Sequence, residues 1–191
     1  KSTEISYSAH VQDIGWQNYV SNGQIAGTVG KNKQVEALKI QLIDPDYDGS
    51  VKYRAHVEDI GWQEYVEANK VSGTEGKNKQ IEAIEIQLTG EMKNQYDIYY
   101  RVHSSDFGWL GWAKNGEKAG SQGYAKQVEA VEVKLVEKGG KAPGTTNQPF
   151  MKKSTEISYS AHVQDIGWQR YVSNGQTAGT EGRNKQMEAL K

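Results

Sequence analysis

The segment His10-Val11-Gln12-Asp13-Ile14-Gly15-Trp16 returns as His56-Val57-Glu58-Asp59-Ile60-Gly61-Trp62, in altered form as His103-Ser104-Ser105-Asp106-Phe107-Gly108-Trp109, and unchanged over residues 162–168. A chain that repeats itself in this way folds as copies of one supersecondary unit, none of which can bury its apolar face alone. The motif histidines lie 46 and 47 residues apart across the first three copies, but 59 apart between the third and the fourth.

Within the first copy, Ile5, Tyr7, Ala9 and Val11 alternate with polar residues at period two, the pattern of a half-buried strand. Asp13-Ile14-Gly15 interrupts that strand, and Trp16 to Ser21 resumes it. Asn22-Gly23 suits a type I′ turn, in which both central residues need a positive φ. A short return strand, Gln24 to Thr28, then completes a local hairpin. A fourth strand runs from about Gln34 to Leu42, with Leu38, Ile40 and Leu42 on one face. Glu36 is in phase with that face, so its carboxylate needs hydrogen-bond partners or a wet end of the sheet, and a structural anchor is expected.

The other copies repeat this grammar. Tyr7, Tyr53, Tyr100 and Tyr159 match, as do Gly27, Gly73, Gly120 and Gly179, and the Glu-Ala pairs beginning at Glu36, Glu82, Glu129 and Glu188. In the third copy Trp112 stands where the others have Tyr19, Tyr65 and Tyr171. Residues 1–138 therefore form a three-repeat module, with repeats at about 1–44, 49–90 and 95–138. Residues 139–152 read as a Gly/Pro/Thr linker by composition. Residues 153–191 differ from residues 1–39 at only five positions, so the array restarts there as the first, truncated repeat of a second module. That repeat, which lacks neighbours, is expected to be the least ordered part.

Four strands in each of three repeats predict a closed all-β body with pseudo-threefold symmetry, a β-prism or a β-trefoil. The prism is slightly favoured, because all four segments read as strands of one antiparallel sheet with a single inward face.

Composition narrows the function. A formal charge of −1, with basic and acidic residues interspersed, argues against nucleic acid as a partner. No apolar run is long enough to insert into a bilayer. The chain opens at Lys1 without an initiator Met or a signal peptide, which leads to the expectation of a mature product or an excised fragment. Without cysteine there is no disulfide and no thiol chemistry. Eleven Tyr and five Trp against two Phe give an aromatic surface with polar handles, suited to wet, polar ligands.

Taken together, Tyr7, His10-Val11-Gln12-Asp13-x-Gly15-Trp16, Gly27-Thr28 and Glu36-Ala37 resemble the clostridial hydrophobic repeat with a conserved tryptophan, the ChW repeat. The resemblance covers all four copies, the third departing at Ser104-Ser105. It implies tandem modules of secreted or cell-surface proteins of Gram-positive bacteria, with a role in adhesion or carbohydrate binding.

Trp16, Trp62 and Trp109 have two readings, an aromatic platform for a sugar ring or packing against the strand that holds Leu38 to Leu42. Tyr19, Tyr65 and Trp112, beside the hairpin tips, are the better ligand candidates. His10, His56 and His103, with Asp13, Asp59 and Asp106, would supply hydrogen bonds to hydroxyls. One His per repeat falls short of a transition-metal site, and no dense calcium-loop pattern is present, so neither metal nor cofactor is expected. Nothing unique to one copy provides a nucleophile, a base and an orienting group together, which argues against an enzyme. The expected partner is a glycan or cell-surface polymer bound through weak repeated sites; a structural spacer or a module binding another protein is the alternative.

Overall fold

Two long antiparallel strands form the frame of every complete repeat, because their period-two apolar residues need a covered face. The computed structural model describes residues 3–191, and the expectations placed on Lys1 lie outside them. The chain divides into two units, the first running through Lys153 and the second spanning Ser154–Lys191. Both are built of strands, and the described helix is a single turn, Met92–Gln95.

In the first unit, Glu4–Val11 pairs with Val35–Ile43, Val51–Val57 with Ile81–Leu88, and Tyr96–Ser104 with Val128–Glu137. At the end of each first strand the chain turns through an aspartate in the left-handed region, Asp13 at φ 62°, and a glycine, Gly15 at φ 83°. Asp tolerates that region better than most side chains. The Gly-Trp dipeptide then folds back, with Trp16 opposite His10, Trp62 opposite His56 and Trp109 opposite His103.

The Asn22-Gly23 turn forms as read, with both residues at positive φ and the Gln24 N–H bonded to the Ser21 carbonyl at 3.0 Å. The local hairpin beyond it does not. Ala26–Gly27 pairs with Val131 and Ala130 of the third repeat, Ser72–Gly73 with Leu38 and Ala37 of the first, and Ala119–Gln122 with Ile84 and Ala83 of the second. Each repeat thus lends a short strand to its predecessor, and the first lends its strand to the third, closing the cycle. Alternation along a strand specifies faces and carries no information about which edge a two-residue strand will meet, so local reading missed the exchange.

Glycine makes the exchange possible. A Cβ on Gly73 would stand 2.3 Å from the Glu36 carbonyl oxygen, and Gly27 and Gly120 meet Glu129 and Glu82 in the same way. The residue that follows locks the contact, with the Thr74 N–H on the Glu36 carbonyl and the Thr28 N–H on the Glu129 carbonyl, both at 2.8 Å.

A single core lies among the three sheets. Ile5, Val11, Leu38, Ile84, Ile98 and Val131 belong to it, with Tyr7, Tyr53 and Tyr100 as its largest fully buried side chains. A buried phenol needs a partner. Each hydroxyl donates to the backbone carbonyl seventeen residues on, at Gln24, Lys70 and Glu117 respectively. The Tyr53 hydroxyl also accepts the Ile40 N–H of the first repeat at 3.0 Å, so a tyrosine in one repeat ties down a strand of another.

The segment 139–152, expected to be a linker, is instead folded onto the third repeat. Phe150–Lys152 pairs in parallel with Ala119–Gln122, and the Pro149 carbonyl accepts the Gly120 N–H at 2.9 Å. The corresponding N–H groups of Gly27 and Gly73 bond to the side-chain oxygens of Gln17 and Gln63. Leu110 occupies that position in the third repeat, and the strap supplies the acceptor that leucine lacks.

The second unit retains its local pairs. Ala161–Val163 meets Gly167–Trp168 and Met187–Leu190, and Ser158–Tyr159 meets Val172–Ser173.

Candidate functional site

The recurring cluster at the motif is built by a β-bulge. In the first repeat the register passes from His10 opposite Ala37 to Val11 opposite Val35, so Glu36 is an extra residue with no opposite number. A bulge re-aims the side chain it carries. Glu36 is thereby released from the apolar face with which it seemed in phase, and Glu82, Glu129 and Glu188 are freed by the same shift.

The carboxylate turns to the histidine. Nδ1 lies 3.1 Å from the glutamate in the His10–Glu36 and His56–Glu82 pairs, off the line of a good hydrogen bond, and 2.9 Å in the aligned His103–Glu129 and His162–Glu188 pairs. Gln34 donates to Glu36, Gln80 to Glu82 and Gln127 to Glu129, which satisfies the second oxygen. The glutamates of the first three repeats are buried, as the anchor reading expected.

Trp16, Trp62 and Trp109 are half-buried and stand outside the central core, each with its ring edge-to-face against its histidine at 5.4 Å. A cation covers each indole. Lys39 lies 4.4 Å from the Trp16 centroid, Arg54 lies 5.1 Å from that of Trp62, and Arg101 lies 4.5 Å from that of Trp109. The two readings of these tryptophans therefore merge: the ring does touch the strand bearing Leu38 to Leu42, through Lys39, yet it is not sealed inside.

The cation survives a change of strand. Ser8 faces Lys39 across the first sheet, whereas Arg54 faces Glu85 in the second and Arg101 faces Glu132 in the third. The positive group comes from the second long strand in one case and from the first in the others, where a carboxylate 2.7 Å or 2.6 Å away accompanies it. Sequence reading passed over these residues because the matching columns hold opposite charges.

Tyr19, Tyr65 and Trp112 meet three fates. Tyr19 is exposed and its hydroxyl donates to Asn69 of the second repeat. Tyr65 is half-buried, lies 4.7 Å from the Arg54 guanidinium and donates to Glu85 at 2.6 Å. Burial, then the bond to Glu85, pushes the Tyr65 phenol up to about 12. For Glu85 burial alone would raise the pKa, but hydrogen bonds from Arg54 and Tyr65 and the Arg54 charge outweigh it and hold the carboxyl below its usual value.

Trp112 corrects an expectation. It is only 5% exposed, because the strap closes over it. Its backbone N–H donates to the Thr145 carbonyl at 2.9 Å, and a Cβ on Gly144 would fall 2.9 Å from its indole nitrogen. The larger ring belongs to the packing of residues 144–147, so the third copy offers no open platform.

Asp13, Asp59 and Asp106 are turn residues at positive φ, paired with Lys33, Lys79 and Lys126 twenty positions on. The histidines beside them direct Nδ1 inward to glutamate. These six residues shape the turn around the aromatic strip. In the fourth repeat Trp168 and Tyr171 are both exposed and Lys191 lies 4.1 Å from the Trp168 centroid.

A separate polar groove of about 270 Å³ is lined by Tyr47, Gln95, Tyr96, Glu137 and Lys138. Its two tyrosines meet edge-to-face at 6.3 Å. Tyr47 sits in the connector between the first two repeats and Tyr96 opens the first long strand of the third.

The sequence profile described as clostridial hydrophobic W matches residues 10–44, 56–90, 103–137 and 162–191. The chain belongs to the ChW family. Each matched stretch of a complete ChW repeat begins at the motif histidine and runs through the bulged glutamate to the end of the second long strand, so it encloses the His–Trp–Glu cluster just described. Comparison with curated proteins and with solved structures gave no match.

Proposed function

We propose that these ChW repeats form a non-catalytic carbohydrate-binding or adhesion module of a secreted or surface protein of a Gram-positive bacterium. The observation that carries this reading is the strip in which one cation lies over both a tryptophan and a tyrosine, Arg54 in the second repeat and Lys191 in the fourth, together with the Lys39-covered Trp16 and the exposed Tyr19 of the first. Sugar rings present apolar C–H faces to aromatic rings and hydroxyls to flanking polar groups, and a rim of Lys39, Asn69 or Glu85 can donate to or accept from them. Three open strips on one chain suit a polymeric glycan, since linked weak sites raise avidity by roughly 10² to 10⁴ where geometry allows joint engagement. We assign the three sheets with their cyclic exchange to a β-prism arrangement.

A second reading, a structural spacer or a module that binds another protein, is favoured by one feature: each motif indole is already covered by a cation of its own chain.

Titration of the full chain against a panel of plant, mucin and cell-wall glycans, read by tryptophan fluorescence, separates the two. The glycan reading expects saturable binding that Tyr19→Ala and Tyr65→Ala each weaken by roughly tenfold, as loss of an aromatic contact of about 1.4 kcal/mol would. Trp112→Ala should leave it unchanged. Absence of saturable binding across the panel would give the spacer reading its place.

A further inference from the structure

The tryptophan turns lie at one end of the long strands, and the segments that join one repeat to the next lie at the other. In the first sheet Trp16 stands opposite His10, while Glu4 pairs with Ile43 at the far end. Segments 44–50 and 89–95 are tied together there. The Thr89 N–H donates to the Ser50 carbonyl at 2.7 Å, and the Glu91 and Met92 N–H groups donate to the Asp48 carbonyl at 2.7 Å and 3.1 Å. The Asp46 N–H donates to the Thr3 hydroxyl oxygen at 2.8 Å, and the Lys138 N–H to the Gln95 carbonyl at 2.9 Å. Loops held by a fixed scaffold in this way are where binding residues concentrate.

The groove of about 270 Å³ lined by Tyr47, Gln95, Tyr96, Glu137 and Lys138 lies at this end. Its residues do not follow the repeat, since Tyr96 stands where the first repeat has Thr3 and the second has Gly49. Tyr96 and Glu137 are direct partners across their sheet, so their side chains leave the same face. Tyr47 is 43% exposed and meets Tyr96 at an interplanar angle of 63°, so the two rings form the walls of a corner.

The charges around that corner are unequally committed. Lys138 is held by the Asp97 carboxylate and the Lys93 carbonyl, both at 2.9 Å. The Glu137 carboxylate makes no hydrogen bond or ion pair among the described residues. Asp46 brings a second carboxylate, which accepts from the Tyr96 hydroxyl at 3.3 Å. Segment 44–50 contains three Asp and no Lys or Arg.

We infer that this groove binds a quaternary ammonium group. Aromatic faces attract a cation through the ring quadrupole, and a methylated ammonium packs its methyl groups against such faces. Tyr47 and Tyr96 supply the two faces, and Glu137 supplies a counter-charge that needs no hydrogen bond from the ligand. Lys138 does not oppose the cation, because its own charge is already matched by Asp97. The site is separate from the tryptophan strips and does not depend on their binding a glycan.

Amide NMR of the full 191-residue chain, titrated with choline chloride and, at equal ionic strength, with ammonium chloride, tests this. Choline should shift the amides of Tyr47, Gln95, Tyr96 and Glu137 saturably at one site per chain, and ammonium should not. Phosphocholine as a second probe separates the sources of the group: tighter binding than choline assigns an esterified headgroup, weaker binding the free cation. Tyr47→Ala and Glu137→Gln, both at exposed positions, should each weaken choline binding by roughly tenfold with the melting temperature kept. Tyr19→Ala should leave it unchanged, which separates this site from the strips. The absence of a saturable choline shift, equal shifts with ammonium, or binding that survives either groove substitution would overturn the proposal.

Discussion

Three tyrosines, one per repeat, show how a single side chain can serve both its own unit and the next. Burial raises the phenols of Tyr7 and Tyr53 from 10.0 to about 12, and pushes Tyr100 up as well. The neutral phenol is the form the core holds. Below the unfolded value near pH 10 this contribution to stability is complete; between pH 10 and pH 12 the unfolded chain ionises first, and stability falls as the pH passes through the folded values. Denaturant midpoints measured at intervals from pH 8 to 12 should decline only in that window, and a flat profile would contradict the burial. Tyr53→Phe removes the bonds to the Ile40 N–H and the Lys70 carbonyl, and should cost about 1–3 kcal/mol in urea unfolding. Asp97 works at the other end of the scale. Burial alone would raise its carboxyl, but bonds from Asn115, the Gly139 N–H, Lys138 and Lys114 hold it far below the usual value. Its contribution is present above the unfolded value near pH 4 and is lost as the pH falls toward the folded one. Asp97→Ala should therefore destabilise by roughly 1.5–3 kcal/mol at pH 7 and flatten the acid limb of the melting curve. The matched tyrosines were visible in the sequence; their double bonding was not, since it depends on which strand passes overhead.

Strands and turns were the most legible elements. The long strands and the Asn-Gly turn follow from period two and from residues that accept a positive φ, whereas at Gly15 only the interruption was legible and the fold-back of Gly15-Trp16 onto the first strand was not. The bulge at Glu36 was legible only as a conflict, a carboxylate in phase with Leu38 and Ile40, and the register shift resolves it. The exchanged strands were not legible, because two residues carry no periodicity. Their glycines did stand out by recurrence, and Gly73 now has a reason. Gly73→Val would place a Cβ against the Glu36 carbonyl in a region of φ that valine resists. A loss of about 3 kcal/mol or more in the first unit is expected from the overlap and the strain together. Gly76→Ala, where a Cβ meets nothing within 4 Å, should be milder, and thermal melts of the two side by side would show the difference.

For the molecule, repetition announced the division into three repeats and one, and the second unit begins at Ser154, one residue after the boundary read from the sequence. The Gly/Pro/Thr segment before it looked like a tether because composition reports flexibility, whereas its carbonyls are recruited by Gly111, Trp112 and Gly120. The same strap covers Trp112 and leaves Tyr19 and Tyr171 exposed, so copies alike in sequence are unlike in exposure. All of this depends on the first repeat lending its strand to the third across more than a hundred residues. The chain lacks cysteine, so Ala26→Cys with Val131→Cys, opposite each other across that joint, can be tested without background. Oxidation of the folded monomer should close a disulfide within one chain, visible as a faster non-reducing band and a single linked peptide of residues 26 and 131. Thiols that stay free, or a return strand found paired within its own repeat, would contradict the cyclic exchange.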